Sequence, residues 1–349
     1  LTEVNYPRLS PQSQLAIFAL LGLTLVFIRY PIHPRFAQKL YSELLDLLLV
    51  LATVVCFGYV LVQSEPIFQR FWLDGQPLGN RAGLEQPLDY MMGLFGILLV
   101  LEATRRAIGL TLPLLSLVFL LYAVYGPAMP DWLFPHRGYP GERIVSQTFL
   151  HSQGVFGIAL KVMFTYVFLF VLFGTVLEQT GATGFIIDFA KRLFRASAGG
   201  AAKVSVISSG MMGSLSGSAV ANTATTGTFT IPMMKSSGFK PTTAAGVEAA
   251  ASSGGALMPP IMGAGAYMML EIIEPPVTYL QIIKAALIPA ILYYATLLLI
   301  VHFRAKLVGA STEVAIEQQD ETSEKYKGFL FFSAFVTLIF FLIIGYTPF

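Results

Sequence analysis

The sequence is poor in charged residues, in cysteine and in the short motifs that mark enzymes. Only 12% of its 349 residues are charged, whereas soluble domains carry about 25%. The one cysteine, Cys56, excludes a disulfide framework and a cysteine-based metal site. The patterns HExxH, GxSxG and GxxxxGKS/T are absent, so the sequence shows no machinery for intramembrane hydrolysis or ATP-driven pumping. We therefore predict that the chain is not an enzyme.

The sequence also lacks the residue patterns that bind metal ions or nucleic acids. The four histidines show no metal-ligand spacing to one another. The net charge is +2, and the basic residues are scattered along the edges of apolar runs instead of forming the basic patch of a nucleic-acid binder. We therefore predict no organic cofactor, no nucleic acid and no resident metal, with sodium considered below as a coupling ion.

Apolar runs long enough to span a bilayer are abundant. Hydrophobic residues make up 55% of the chain, and about 20 consecutive apolar residues suffice for a transmembrane helix. The sequence therefore predicts an all-α polytopic integral membrane protein. The predicted spans are 13–30, 44–62, 90–108, 110–129, 158–177, 279–302 and 329–347.

The distribution of basic residues predicts the topology. With the N-terminus outside and the spans alternating, 15 of the 22 lysines and arginines fall in inner loops and seven fall on the outer side. Such an excess of positive charge marks cytoplasmic loops, so we predict a multi-pass protein of the cytoplasmic or inner membrane. Residues 184–196 alternate apolar and basic groups at helical spacing, which predicts a helix lying among the lipid headgroups.

Residues 205–230 are neither lipid-facing nor soluble in character. Eighteen of these 26 residues are Gly, Ala, Ser or Thr, and no charge occurs between Lys203 and Lys235. Polar backbone at membrane depth is tolerated where protein buries it or where it lines a cavity, and such broken elements hold ions and substrates in transporters. We predict a re-entrant helical hairpin over about 204–234. The alternative is a packed small-residue helix, because Gly213 and Gly217 form a GxxxG pattern.

A second segment of small residues, 243–270, is interrupted by Pro259-Pro260, which breaks a helix. Hydroxyl, amide and backbone oxygens from the two segments would suit a sodium ion, and a half-helix N-terminus favours an anionic substrate. The candidate sodium-binding residues are Ser216, Gly217, Ser218, Asn222, Gly254, Gly255 and Pro259. The weaker candidates for substrate binding are Thr223 and Thr226.

Glu248 is the only charged residue between Lys240 and Glu271. A carboxylate in a membrane segment is costly and marks a functional site by default. We therefore consider Glu248 a candidate coupling residue. The alternative is that it lies near the inner membrane surface, about one to two helical turns from Pro241.

Several stretches resemble the fused membrane subunit of the tripartite ATP-independent periplasmic (TRAP) transporters, in its TAXI branch. They are SGSAVANTATTGTFTIPMMKSSGFKP, AGVEAAASSGGALMPPIMGAGAYMMLE, EATRRAIG at 102–109 and ALIPAILYY at 286–294. The resemblance extends over about 95–305. It implies a scaffold like the small subunit over 1–155 and the N-terminal half of a transport region like the large subunit over 156–349, a division that matches the shift to small residues near 155.

The resemblance implies a bacterial or archaeal permease that imports an organic anion on a sodium gradient. It also implies a soluble TAXI-type substrate-binding protein as partner and an elevator-type secondary transporter built from two inverted repeats. The sequence contains the hairpin and broken helices of one repeat. The second repeat is expected after Phe349, and a further span before Leu1.

Two other interpretations of the residues stay open. A proton-coupled carrier would use Glu248 as its proton carrier. A non-transporting membrane scaffold protein would use the small residues only to pack helices. A channel has less support, because no ring-forming charged segment or filter-like repeat is present. Sodium-dependent conformational change would separate the carrier from the scaffold.

Overall fold

The structure is a computed structural model that describes residues 9–32, 40–310 and 321–344. It divides into two compact units, Leu1–Phe164 and Thr165–Phe349. Within the described residues the secondary structure consists of helices and turns, with no strand. Six helices in these ranges are long and apolar enough to cross a membrane, which agrees with the predicted polytopic membrane protein.

The first unit is built around four of these spanning helices. Ser10 caps the first helix with its side chain, which accepts a hydrogen bond from the Ser13 amide, and Pro11 occupies the first turn. These are the residue types that start helices. The helices are α1 (Pro11–Arg29), α2 (Leu40–Ser64), α3 (Pro87–Ala107), α4 (Thr111–Tyr125) and the short α5 (Gly141–Val145).

Aromatic packing fills the core of this unit. The rings of Phe57, Phe149 and Phe156 are buried and contact one another edge to face at 5.3–5.8 Å. Gly96 on α3 packs directly against the Phe149 ring. A Cβ at position 96 would be only 2.1 Å from that ring, so a larger residue would not fit. The glycine therefore allows the helix to approach the aromatic cluster.

An ion-pair network joins the ends of α1, α2 and α3. The side chain of Arg106 is fully buried and contacts Asp46 at 2.6 Å, Glu102 at 2.8 Å and the carbonyl oxygen of Tyr30 at 3.0 Å. Arg105 binds Glu102 through two nitrogens and is 32% exposed. The charges of the EATRR motif therefore hold helix ends together inside this unit.

Two acidic residues organise the opposite end of α3. Asp89 forms a buried ion pair with Arg81 at 2.9 Å and accepts a hydrogen bond from Tyr59 at 2.5 Å. Glu85 accepts hydrogen bonds from Ser146 and from His151 at 3.0 Å. Burial would raise the pKa of Glu85, but these hydrogen bonds and backbone N–H groups favour the anion more strongly and lower the pKa to about 2.

The second unit contains the predicted hairpin and the predicted helix break. The sequence predicts seven spans, and six of them correspond to the spanning helices. The seventh corresponds to the shorter apolar stretch Gly328–Ile344. The helices are α6 (Ile158–Gln179, in which Thr165 begins the second unit), α7 (Ala182–Leu193), α8 (Gly200–Ser216), α9 (Ala219–Ser236), α10 (Pro241–Gly254), α11 (Ala264–Ile272), α12 (Tyr279–Val308) and α13 (Glu321–Ile344).

Removing the buried guanidinium should destabilise the first unit far more than removing the exposed one beside it. Arg106→Gln leaves Asp46 without its ion-pair partner, and breaking a buried pair costs about 3 kcal/mol. Arg105→Gln changes a partly exposed pair and should cost about 0.5 kcal/mol. Thermal unfolding of the purified protein in detergent measures both. Equal melting temperatures for the two variants would contradict the assignment of the network to the fold.

Candidate ion and substrate site

The hairpin is made by α8, α9 and a turn of two residues. Gly217 ends α8 in the left-handed conformation at φ 61°, and its N–H donates to the carbonyl of Gly213 at 2.8 Å. Ser218 then caps α9, with its side chain accepting from the Ala221 amide at 3.3 Å. The left-handed glycine and the serine cap thus reverse the chain. The predicted hairpin has its tip at residues 216–218.

The break after α10 is also where the sequence places it. Helix α10 ends at Gly254, a single tight turn follows over Gly255–Leu257, and irregular backbone continues to Gly263. Pro259 and Pro260 lie in this irregular segment, where neither can donate a backbone hydrogen bond. The residues 255–263 are called the unwound segment below.

Two tyrosines hold the unwound segment in place. The Tyr279 hydroxyl lies 2.5 Å from the Pro260 carbonyl oxygen and 2.9 Å from the Tyr267 hydroxyl, which donates to the carbonyl of Ile261. Their rings stack at 5.0 Å, and Tyr166 stacks on Tyr267 at 5.6 Å. Phenol groups therefore satisfy carbonyls that the broken helix leaves without partners.

Glycines bring the hairpin and the unwound segment into direct backbone contact. A Cβ at Gly213 would lie 2.2 Å from the Cα of Gly255, and a Cβ at Gly217 would lie 1.9 Å from the carbonyl oxygen of Met262. The two glycines of the GxxxG pattern thus face the unwound segment. Gly263, at the start of α11, lies against the Gly217 carbonyl: a Cβ there would be 3.4 Å from that oxygen.

Four helix ends therefore meet at one place in the described part of the second unit. The C-terminal ends of α8 and α10 meet at Gly213 and Gly255, and the N-terminal ends of α9 and α11 follow at the Gly217–Gly263 contact. Helix C-termini carry a partial negative charge and N-termini a partial positive charge. The arrangement offers carbonyl oxygens to a cation and N–H groups to an anion within the same small region.

Asn222 carries a buried side-chain oxygen that is free to bind a ligand at this place. The residue is 1% exposed, and its Nδ2 donates to the backbone carbonyl of Ser209 at 2.7 Å. Its Oδ1 is buried and has no hydrogen-bond partner among the described residues. Its Nδ2 also borders Gly255, where a Cβ would come within 3.0 Å. A buried amide oxygen without a partner is costly, and a cation would satisfy it.

The remaining sequence-predicted site residues are distributed around this point. Ser216 and Ser218 lie half-buried at the hairpin tip. Thr223 is half-buried, and its hydroxyl donates to the Ala219 carbonyl of its own helix at 2.8 Å. Gly254 faces α12: a Cβ there would lie 2.3 Å from the Tyr293 ring. Among these candidates the structure brings Asn222 and Gly255 together, whereas Gly217 contacts the other end of the unwound segment at Met262.

Glu248 lies in a cage of hydroxyl groups. It is 0% exposed, and its carboxylate is contacted by five hydroxyls from three helices at 2.5–3.0 Å. We call this set of five the hydroxyl cage. The donors are Ser205 and Ser209 of α8, Thr226 and Thr230 of α9, and Ser252 of α10.

The cage changes the interpretation of two residues. The sequence allows Glu248 either to carry coupling or to lie near the inner membrane surface, and the structure shows a fully buried carboxylate between the hairpin arms and α10. Thr226 is a sequence candidate for substrate binding, but its side chain is 0% exposed and contacts Glu248 at 2.5 Å. In this structure its hydroxyl therefore faces the carboxylate, and its role in substrate binding stays a prediction.

Sequence reasoning missed the two tyrosines and most of the hydroxyl cage. In the sequence Tyr267 and Tyr279 are parts of apolar stretches, although a phenol in an apolar run signals a nearby acceptor. Ser205, Ser209 and Thr230 carry a signal as well, since they recur at helical spacing on single faces of α8 and α9. That spacing alone names no partner.

Comparison with known proteins supports the transporter interpretation. Residues 95–348 match the family described as "Tripartite ATP-independent periplasmic transporter, DctM component". The match begins before residue 155, where the sequence shifts to small residues. It includes the hairpin, the unwound segment and Glu248.

Two curated relatives are similar over part of the chain. The 2,3-diketo-L-gulonate TRAP transporter large permease protein YiaN of Escherichia coli is 29% identical over 157 residues, which is 45% of this chain and 35% of that protein. A protein of Haemophilus influenzae named "Putative TRAP transporter large permease protein" is 28% identical over 151 residues, 43% of this chain and 35% of its own length. The matches thus span about a third of each relative, whereas the family match spans well over half of this chain. The chain, a multi-pass membrane protein by its helices, belongs to the DctM family of TRAP transporter permeases.

Proposed function

We propose that the chain forms part of the permease of a sodium-coupled, binding-protein-dependent TRAP transporter that imports an organic anion across the inner membrane. The family supports the transport role. The observation that carries the sodium site is Asn222 Oδ1, a buried oxygen without a partner in the described part of the chain, beside two helix C-termini. Neutral side-chain and carbonyl oxygens of this kind coordinate Na⁺ in transporters with broken helices.

The anion is inferred from the other two helix ends. The N-termini of α9 and α11 are adjacent at Gly217 and Gly263, and half-helix N-termini point at anionic substrate groups in such carriers. One relative is named for 2,3-diketo-L-gulonate, which is a carboxylate. A small organic acid is therefore the proposed substrate class, with Thr223 near the N-terminus of α9 as a weak contact.

The partner and the mode of movement follow from the family. TRAP permeases work with a soluble substrate-binding protein, and we propose one of the TAXI type for this chain. The proposed cycle is an elevator movement, in which the hairpin and the unwound segment carry ion and substrate as a body. Their close backbone packing at Gly213 and Gly255 supports movement as one body.

A second candidate is a proton-coupled carrier in which Glu248 takes up the proton. Its burial favours this hypothesis, since intramembrane carboxylates commonly form proton relays. Uptake driven by a pH gradient without sodium, and abolished by Glu248→Gln, would establish the second candidate over the first. A scaffold protein without transport would show neither response.

Sodium should protect the hairpin tip from chemical modification. Cys56 is replaced by alanine, and a single cysteine is introduced at the exposed Ala221 in the full-length protein in liposomes. Modification by a membrane-impermeant thiol reagent should be several-fold slower in sodium than in potassium, because ion binding closes the oxygen ligands around Asn222. Equal rates with good labelling in both salts would reject the sodium site.

Asn222→Leu should abolish sodium-driven uptake while membrane insertion stays normal. The change removes the buried oxygen and increases apolarity, so insertion is not opposed. Thr228→Val is the matched control, because Thr228 is exposed on the same helix and its hydroxyl donates to the Thr225 carbonyl. Uptake of radiolabelled substrate by liposomes with the binding protein measures both. Normal uptake by the Asn222 variant would remove this residue from the site.

Gly213→Ala should weaken sodium binding by about tenfold, since an added methyl group in a close backbone contact costs about 1–3 kcal/mol. The new Cβ would lie 2.2 Å from the Gly255 Cα, so one backbone segment has to move. Gly246→Ala is the control, because a Cβ there meets nothing within 4 Å. The measurement is the sodium concentration that gives half-maximal protection of the thiol introduced by Ala221→Cys. Identical values for both variants would show that the Gly213–Gly255 contact does not shape the site.

A further inference from the structure

The carboxylate of Glu248 has no cationic partner among the described residues. It takes part in none of the ion pairs found there. The charged groups of the helices packed around it are engaged or lie elsewhere. Lys203 of α8 contacts Ser197 and His302, Lys235 at the end of α9 is exposed, and Tyr294 of α12 donates to the Ala251 carbonyl.

The surroundings nevertheless offer the carboxylate enough hydrogen-bond donors. A carboxylate offers about four lone-pair positions, and the five hydroxyls of the cage suffice to fill them. Hydrogen bonds to a charged acceptor are about twice as strong as neutral ones. What hydroxyls cannot supply is an opposite charge, and a buried net charge is costly without one.

Two short paths connect this charge to the proposed sodium ligand. The Ser209 hydroxyl lies 2.8 Å from Glu248 Oε1, and the carbonyl of the same residue accepts from Asn222 Nδ2 at 2.7 Å. The Thr226 hydroxyl lies 2.5 Å from Oε1 and 2.8 Å from the Asn222 backbone oxygen. Glu248 thus fixes the residue that holds the Asn222 amide, with Oδ1 left free.

The other elements of the site carry no full negative charge. Its side-chain oxygens belong to serine and asparagine, and its backbone oxygens to glycines and to the unwound segment. Between Gly200 and Gly263, Glu248 is the only acidic residue. A monovalent cation bound by neutral oxygens in a region shielded from water gains strongly from a nearby negative charge, since the effective dielectric constant is low.

The geometry points to Glu248 as the counter-charge of the sodium site. Its carboxylate does not ligate the ion. It supplies the negative charge that balances bound sodium, and through Ser209 it positions the Asn222 amide. This inference rests on the proposed sodium-coupled function and assigns a positioning residue to the same site. It also explains why a buried carboxylate is surrounded by hydroxyls alone.

The test uses the full-length protein with the single cysteine at position 221. Glu248→Gln keeps the size of the side chain and removes the charge. The sodium concentration for half-maximal protection should rise about tenfold or more, the change that a unit charge about 10 Å away produces at an effective dielectric constant of about 20. The labelling rate in potassium should stay the same, which reports an intact hairpin.

A charge-retaining variant separates the electrostatic role from a merely structural one. Glu248→Asp keeps the charge and shortens the side chain, so its sodium requirement should stay within about threefold of the wild type. Loss of the same size in the Asp and Gln variants would show that shape matters and charge does not, which overturns the proposal.

A milder pair of variants keeps the test valid if the Gln variant fails to fold. Ser252→Ala removes one donor from the cage, whereas Ser253→Ala removes an exposed hydroxyl that donates to the Ala249 carbonyl. The first should raise the sodium requirement about two- to fivefold by weakening the anion, and the second should leave it unchanged. Equal values for the two would overturn the proposal.

The failure of this inference is distinguishable from failure of the proposed function. If wild-type protein shows sodium-specific protection and Glu248→Gln shows it at the same concentration, the sodium site stands and the counter-charge is rejected. If wild-type protein shows no response to sodium, both are rejected. Uptake that needs only a pH gradient and is lost in Glu248→Gln would assign the carboxylate to the proton instead.

Discussion

The second unit depends on how one buried carboxylate is satisfied. Glu248 has to find its hydrogen bonds inside the protein, and it takes them from both arms of the hairpin and from its own helix. This requirement fixes α8, α9 and α10 relative to one another, because each contributes donors to the same group. The hairpin tip and the unwound segment are then close enough for backbone contact at Gly213 and Gly255. The proposed ion site is thus a consequence of packing around a charge several residues away.

The two units stabilise buried charged side chains in different ways. In the first unit the two buried guanidinium groups pair with carboxylates, Arg81 with Asp89 and Arg106 with Asp46 and Glu102. The second unit surrounds its buried carboxylate with neutral hydroxyls and, within the described ranges, leaves the charge without a protein partner. A buried ion pair within the protein stabilises a fixed arrangement of helices, since breaking the pair costs several kcal/mol. A charge without a fixed partner suits a site whose partner arrives and leaves.

The sequence alone predicts the all-helical membrane fold, the hairpin and the break near Pro259, because apolar run length, left-handed glycine turns and paired prolines act locally. It also singles out Asn222 and Glu248 by their polarity in apolar surroundings. It could not predict the hydroxyl cage, because four of its five contacts join residues 18 to 43 positions apart on different helices. Thr226 illustrates the limit, since facing the substrate and facing Glu248 differ only by a rotation of α9 that local sequence does not specify. The Pro260–Tyr279 contact was out of reach for the same reason.

The tyrosine pair also decides which oxygens the unwound segment has left to offer. Each phenol has a single proton, and the two together engage the carbonyls of Pro260 and Ile261. Each carbonyl oxygen has two lone pairs, so the hydrogen bonds from the phenols occupy part of its capacity to bind an ion. The number of oxygens that the segment could offer to the proposed ion is therefore limited by aromatic side chains that are not themselves proposed ligands. Ion selectivity in this segment would then respond to changes in an aromatic stack that contains no ligand.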